Sequence, residues 1–406
     1  MAKFINETMG LVSEADLLQT GINFVSTPSD PLESLFTDQV TENLVAEWYT
    51  MASEYSIPVM AQFHAFDVPA QKSERAPIDE QNVEKALIKV KRNTSELLRQ
   101  LMKRGTKLED NLYNEVMNDA YKLTMEVVTR AKMTRHELMA TGQVTIKENG
   151  LNEVIDFGVP NDHKGITLDF GGDILEQIEA IVEQASDEGV TINGIVCPRS
   201  FISKLRKDKN VQLAINGSAM QGVLPRRGVV TDLLDEEFGI SQVITVDGKY
   251  AEPYKTRTNG RPDVVKHRLF PANTVTFFGT YNGSRLGAGL WGTPPEVEIA
   301  NFAKVDNSGT SPFVYITQWA EKDPAIIWTK ASALYVPVLF APQSLFIATY
   351  TDGGNEGGGE EGGGETDLNS MTKTQLLEYA EANGITGVDS SMTKDEIIAV
   401  IEAAQA

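Results

Sequence analysis

The clearest pattern along the chain runs from Leu108 to Leu138, where Leu108, Leu112, Val116, Ala120, Leu123, Val127, Ala131 and Leu138 recur at spacings of three, four and seven. That spacing predicts one apolar face on a single long α-helix. Thr106, followed three residues later by Glu109, has the pattern of a capping box, and Gly142 supplies a stop. Acids Glu109, Asp110 and Glu115 come early and Arg130, Lys132 and Arg135 come late, as the helix dipole favours. At 1.5 Å per residue the helix is roughly 50 Å long, more than the width of a compact domain.

On both sides of this helix the period falls to two. Residues 59–70 (VMAQFHAFDVPA) and 83–92 (VEKALIKVKR) alternate apolar and polar side chains and predict a long projecting hairpin, with the polar QKSERAPIDEQN as its connection. After the helix, VTIKENGLNEVIDFGVP reads as a second hairpin. There follow a helix from Asp173 to Glu188, a strand from Thr191 to Cys197, a helix from Arg199 to Leu213 and a strand from Ile240 to Asp247, an α/β middle. A turn-rich stretch from Gly279 to Glu298 separates this from late, short strands. Ala331 to Tyr350 lacks a charged residue for twenty positions, the nominal length of a membrane span. Pro337 and Pro342 interrupt it, and each proline costs a helix interior about 3 kcal/mol. Val336, Val338, Leu339, Phe346 and Ile347 instead predict two buried or interfacial strands, with no membrane contact.

The sharpest change of composition lies late. Residues 351–367 (TDGGNEGGGEEGGGETD) hold eight glycines, six acids and no base, the make-up of a flexible, self-repelling linker. Beyond it, residues 368–406 contain an internal echo. Ser370-Met371-Thr372-Lys373 precedes Gln375, and Ser391-Met392-Thr393-Lys394 precedes Glu396, two capping boxes that predict a helix, a loop and a second helix. This module resembles the helix-extension-helix (HeH), LEM and SAP-like domains and the small amino-terminal domain of Rho.

A chain of 406 residues exceeds one ordinary core, so two or three structural units are expected. The formal charge of -21 argues against a polyanion-binding surface over the whole protein. Residues 351–406 carry 2 bases and 12 acids, or -10, leaving -11 for the first 350. The basic run from Lys72 to Lys107 has ten bases against five acids, but no aromatic stacking platform, and reads as a solvated or subunit-facing surface. The amino-terminal MAKFINETMGLVSEAD acquires acids early and lacks an apolar core segment, so no secretory signal is expected.

No constellation for catalysis emerges, and the expectation is a protein that is not an enzyme, without catalytic, cofactor-binding or metal-binding residues. His64, His136, His163 and His267 are dispersed without metal-ligand spacing. Cys197, the lone cysteine, sits in an apolar run and reads as a core thiol. Gly283, Gly287 and Gly289 have the density of a phosphate loop, but no Lys-Ser or Lys-Thr pair follows and no helix opens there.

The order of these elements resembles the major capsid proteins of the HK97 fold, and more closely the phage lambda type of major head protein, the capsid protein E family. Leu138-Met139-Ala140-Thr141-Gly142-Gln143-Val144-Thr145-Ile146 with Glu153-Val154-Ile155-Asp156-Phe157-Gly158, Phe270-Pro271-Ala272-Asn273-Thr274-Val275 with Phe278-Gly279, and Asp323-Pro324 with the strands to Tyr350 carry the likeness. It implies an α+β fold with an amino-terminal arm and lead-in (1–55), an E-loop hairpin (56–93), and P and A domains (94–350) whose spine is the long helix. The linker (351–367) and HeH-like module (368–406) are then an appendage. The implied function is a major capsid protein that self-assembles, as hexamers and pentamers, into the icosahedral shell of a tailed phage around double-stranded DNA. The implied partners are further copies of itself, a separate scaffolding protein and a portal, with room for a decoration protein; the packaged DNA is enclosed without sequence-specific binding. Assembly is expected in the host cytoplasm and the product in the virion. Two other readings stay open at this point: a nucleic-acid-binding protein acting through the tail module, and an enzyme with an unrecognised α/β site.

Overall fold

The structure is a computed structural model, and it describes residues 30–51, 78–94, 108–279, 286–295 and 314–351, apart from 42, 149, 218–221, 253–256, 259–260, 263–264 and 324, together with Met392, Lys394, Ile397 and Val400. The chain divides into two units, Met1–Gly354 and Asn355–Ala406. In the second, Lys394, Ile397 and Val400 are helical and Ile397 is buried. The remainder of the expected two-helix module lies outside the described residues.

In the first unit, strands β1 (Phe36–Val40), β2 (Val45–Met51), β3 (Ile78–Glu84) and β4 (Ala86–Thr94) precede the long helix α1 (Leu108–Thr141). A short hairpin of β5 (Gln143–Ile146) and β6 (Glu153–Asp156) leads through β7 (Ile166–Asp169) to α2 (Ile174–Asp187), β8 (Ile192–Cys197), α3 (Arg199–Leu205), α4 (Lys209–Asn216), α5 (Arg227–Phe238) and β9 (Gln242–Thr245). Two small ribbons follow, built from β10 (Lys249–Ala251), β11 (Arg257–Thr258), β12 (Arg261–Pro262) and β13 (Lys266–Arg268). The late strands are β14 (Thr274–Gly279), β15 (Gly287–Gly292), β16 (Tyr315–Lys322), β17 (Ala325–Leu339) and β18 (Leu345–Thr351).

Two five-stranded sheets organise these elements. The first has the order β7-β18-β14-β8-β9. Along β14 the side chains alternate between two cores: Val275 and Phe277 join the one lined by α2, α3, α4 and α5, while Phe278 joins the other with Leu138, Met139 and Ala140 of α1. A sheet covered on both faces explains why β14 and β18 read as nearly unbroken apolar runs. On α2, Ile174, Ile178, Ile181 and Ala185 are buried at helical spacing, and Asp173 caps the helix by accepting hydrogen bonds from the amides of Leu175 and Glu176.

The second sheet is organised around β17. Its residues 325–332 pair with β16, residues 334–339 with β15, and residues 327–335 with β4 on the opposite side. Strand β1 adds to the outer edge of β15 in parallel register. Helix α1 packs across this sheet, with Leu123, Val127, Val128 and Ala131 against Trp291, Ala331, Ala333 and Tyr335. The expected pair of strands in the charge-free stretch is present as β18 and the later part of β17, which begins earlier, at Ala325, and includes Lys330, and no helix among the described residues is long and apolar enough to cross a membrane. Pro337 lies beyond the last β4 rung, Ala86 with Tyr335, where β17 pairs with β15 alone among the described strands. A missing amide proton is tolerable there.

The helix expected near residue 106 runs from Leu108 to Thr141 and ends at Gly142, whose φ of 72° is the left-handed conformation glycine adopts without steric cost. The capping pair proposed for its start lies outside the described side chains. Two expectations are corrected. The helix read as one piece from Arg199 to Leu213 is two, because the Asp208 carboxylate accepts from the amides of Asn210 and Val211 at 2.9 and 3.0 Å and starts a new helix. The hairpin expected between residues 59–70 and 83–92 also differs. The 83–92 strand is broken at Lys85; β3, which includes residues 78–82 of the supposed connection, pairs with β2, while β4 pairs with β17. Residues 59–70 lie outside the described residues.

Candidate assembly surfaces and a buried ionic cluster

The most concentrated polar chemistry in the first unit is enclosed where α1 crosses the second sheet. Arg135 occupies the apolar stripe of α1, four residues after Ala131 and three before Leu138, and its side chain is 2% exposed. Its Nε donates to Tyr335 Oη at 2.8 Å, and its Nη2 pairs with Asp38 of β1. The same Asp38 oxygen accepts from Trp291 Nε1 at 2.9 Å. Next along the helix, His136 Nε2 lies 3.0 Å from Asp30 Oδ1, and Asp30 also accepts from the Leu32 amide. One turn of α1 thus fastens the incoming arm, β1, β15 and β17 at a single point.

Backbone choice makes room for this cluster. Gly289 of β15 is paired with Asp38 on one side and Pro337 on the other. A Cβ there would overlap the Asp38 carboxylate and press on Arg135 and the Tyr335 hydroxyl. The glycines weighed as a phosphate loop therefore serve packing: Gly287 and Gly289 belong to a buried strand. Gly283 lies outside the described residues.

Burial pushes the Asp30 carboxyl up, but His136, Arg135 and the Leu32 amide together outweigh it and hold the group below the usual carboxylate range. For Asp38 burial wins, and the carboxyl is held above its ordinary value despite Arg135 and Trp291. Burial pushes the Tyr335 phenol up to about 12, so it remains a neutral hydroxyl. The arrangement contains a buried cation, two carboxylates of opposite tendency and neutral donors. It locks segments together, with the His136 imidazole engaged on Asp30.

A second fastening lies at the break between β3 and β4. Lys85 is buried, and its ammonium donates to the carbonyls of Thr41 and Asn43 and to the Thr41 hydroxyl. Burial lowers its pKa. These contacts tie the β1–β2 turn to the base of β3, while Ala46 and Trp48 of β2 turn inward and Trp48 stacks on Phe157. Met51 pairs with Ile78 in the last rung of the β2–β3 pair.

Of the remaining residues with chemical potential, His163 is buried, stacked on Phe346 at 3.8 Å between ring centroids and hydrogen-bonded to Glu188. Asp162, His163 and Glu188 bring three ligand-type atoms within 4.8 Å of one another; Asp162 is exposed and the imidazole is already engaged with Glu188. His267 pairs with Glu252 at 3.0 Å, and His64 lies outside the described residues. Cys197 is buried in β8, and burial pushes its thiol up to about 12, which leaves it without the thiolate that a nucleophile needs. The structure gathers none of these into a catalytic arrangement among the described residues. Sequence reading missed Arg135 and Lys85 as buried groups. The signal for Arg135 was present, since it shares the spacing of the apolar stripe.

No curated protein matches the sequence. Among solved structures, the capsid protein of a prophage of E. coli CFT073, described as putative, is similar at 16% identity with a TM-score of 0.49, covering 86% of this chain and all of that one. The virus-like particle from Pyrococcus furiosus shows 12% identity and a TM-score of 0.41 over 82% of this chain and 98% of that one. The capsid of Myoviridae phage XM1 shows 10% identity and a TM-score of 0.42 over 79% and 91%. The family model described as phage major capsid protein E matches residues 18–350. That span takes in both five-stranded sheets, the long helix and nearly all of the first unit, and the chain therefore belongs to the phage major capsid protein E family.

Proposed function

We propose that the chain builds the icosahedral head of a tailed phage, as hexamers and pentamers enclosing double-stranded DNA. The observation that carries this is the family match over residues 18–350, which makes the chain a shell-forming major capsid protein of the virion. The order of elements supports the finer reading. An arm is fastened through Asp30 and Asp38, a ribbon departs at Met51 and Ile78, one helix spans residues 108–141, and a helix-covered sheet follows. In the HK97-type scheme these correspond to the arm and lead-in (1–55), the E-loop (56–93) and the P and A domains (94–350), followed by the acidic linker (351–367) and the HeH-like module (368–406). The role is structural. Many modest contacts repeated at every subunit stabilise a closed shell, and a net charge of -21 leaves packaged DNA weakly held. Assembly takes place in the host cytoplasm with a separate scaffolding protein and a portal.

Electron microscopy of the purified recombinant protein tests this reading. Closed shells, tubes or rings are expected; a strictly monomeric protein that binds DNA in a salt-dependent way would replace it. Replacing residues 71–77 by a short Gly-Ser link is expected to leave a folded subunit that assembles poorly, since β3 begins only at Ile78. Normal shells from that variant would remove the E-loop assignment.

A further inference from the structure

Helix α5 carries its charges the wrong way round. Arg226 and Arg227 stand at its amino end, where the dipole favours acids, and Asp235, Glu236 and Glu237 stand at its carboxyl end, where it favours bases. Asp232 and Glu236, four apart, add a like-charge pair on one face. All six side chains are exposed, and Arg227 Nη2 donates to the neutral Thr245 hydroxyl at 3.1 Å, which leaves its charge without compensation from that contact. Within one subunit this pattern is unfavourable at both ends.

Beside the basic end lies an apolar surface that is held open by hydrogen bonds. The segment entering α5 is tied to α3 and α4: Gln212 accepts from the Gly222 amide at 3.1 Å, Asn216 donates to the Val223 carbonyl at 2.8 Å, and Arg206 Nε donates to the Pro225 carbonyl at 2.7 Å. With its backbone fixed in this way, the segment still leaves Val223 56%, Leu224 48%, Val229 40% and the nearby Leu213 42% exposed. A fixed apolar patch next to exposed cations suits a partner that offers apolar cover and anions together.

We propose that this end of the helix-covered sheet is a head-to-tail contact between copies of this chain, in which Arg226 and Arg227 of one subunit meet the acidic end of α5 in its neighbour, with Val223, Leu224 and Val229 buried between them. The same chain supplies both complementary halves, so every subunit can use each half once. Such a heterologous contact closes into a ring when its rotation allows. The inference rests on the shell-forming reading for its ring geometry, and it names the residues that would make the ring. It also accounts for charges that oppose the helix dipole, which the isolated subunit leaves unexplained.

The test is charge reversal read by analytical ultracentrifugation and electron microscopy of the full chain. Circular dichroism first establishes that each variant is folded; all substitutions are at exposed positions. Arg226→Glu with Arg227→Glu makes both ends acidic, and Asp235→Lys with Glu236→Lys makes both ends basic. Each double variant is expected to lose ring and shell formation at low salt by at least tenfold in the concentration required. Combining all four substitutions in one chain restores complementarity and is expected to restore assembly, and mixing the two double variants is expected to give alternating, even-numbered rings. Wild-type association should weaken as salt screens the contact. Double variants that assemble like wild type, or a folded four-fold variant that fails to recover, would overturn the proposal while leaving the shell-forming reading intact. Rings that respond to these substitutions but never close into shells would support the contact and count against the shell. A wild-type chain that stays monomeric under all conditions would overturn both.

Discussion

The two five-stranded sheets of the first unit are similar in size but held together by different physics. The sheet β7-β18-β14-β8-β9 is apolar on both faces, with Phe277, Phe346 and Cys197 against the helices and Phe278, Leu345 and Ile347 against the other core. The sheet built on β17 has a buried guanidinium near its centre, with Asp38, Tyr335 and Trp291 around it. Apolar burial is non-directional and tolerates rearrangement, whereas an enclosed ion is stable only with its partners in place. The first sheet is suited to give the subunit a stable body. The second joins segments far apart in sequence, residues 30–40, 135–136, 289–291 and 335, and gives them one allowed arrangement.

Removing a large group from either sheet should produce the largest effects, of similar size but different character. Phe277→Ala is expected to cost about 3–5 kcal/mol through lost burial and a cavity, and Arg135→Met about 3–5 kcal/mol because Asp30 and Asp38 are left buried without their cation. Denaturant titration of the two variants measures this. The distinction lies in rescue. Adding Asp30→Asn and Asp38→Asn to Arg135→Met should recover a large part of the loss, since the leftover charges are what cost. A triple variant no more stable than Arg135→Met alone would mean that the cluster acts through shape and not through charge.

Next come the glycines. Gly194 of β8 faces its register partner Phe278, whose ring occupies the space a Cβ would take, and Gly289 similarly faces Asp38. Alanine at either site is expected to cost about 1–3 kcal/mol by overpacking. In the apolar sheet the smaller ring partner should relieve the clash, so Gly194→Ala with Phe278→Leu should be less destabilised than the two single losses added together. Gly289→Ala should resist relief by Tyr335→Phe, because that change removes the hydroxyl that accepts from Arg135. Thermal unfolding of the two double-mutant cycles distinguishes a flexible packing from a fixed one.

The same contrast explains what was legible in the sequence. Helix α1 was readable because its apolar spacing persists over its 34 residues, and β17 and β18 because β-branched and aromatic residues fill a stretch without charge. These are local signals. The parallel pairing of Phe36–Val40 with Gly287–Trp291 is not local, and nothing in either segment names its partner. The break at Lys85 was hidden because a lysine in an alternating run reads as an outward residue, while here its stem is buried and its ammonium reaches neutral oxygens. Arg135 was read as a charge complementing the helix end, although its spacing placed it among Ala131 and Leu138. Sequence periodicity reports which face a residue occupies; the residue type suggested solvent, and the face decided the outcome.

The smallest effect, and the one most specific to the ionic sheet, concerns acid. Asp30 is held below its ordinary value, 3.8, so the folded state keeps it ionised where the unfolded chain would already bind a proton. Its stabilisation is therefore present above that ordinary value and lost as pH falls through and below it. Asp38 has the opposite sign. Its folded value is raised, so the folded state takes up a proton first and gains stability as pH falls toward the ordinary value. Each single substitution shifts overall stability, so the slopes of melting temperature against pH carry the test. Between about pH 5 and pH 2, Asp30→Asn should fall less steeply than wild type, because the lost contribution is no longer there to lose. Asp38→Asn should fall more steeply, because a compensating gain has been removed. Parallel curves for the two variants would mean that the carboxylates titrate alike, and the unequal roles assigned to them within the cluster would not stand.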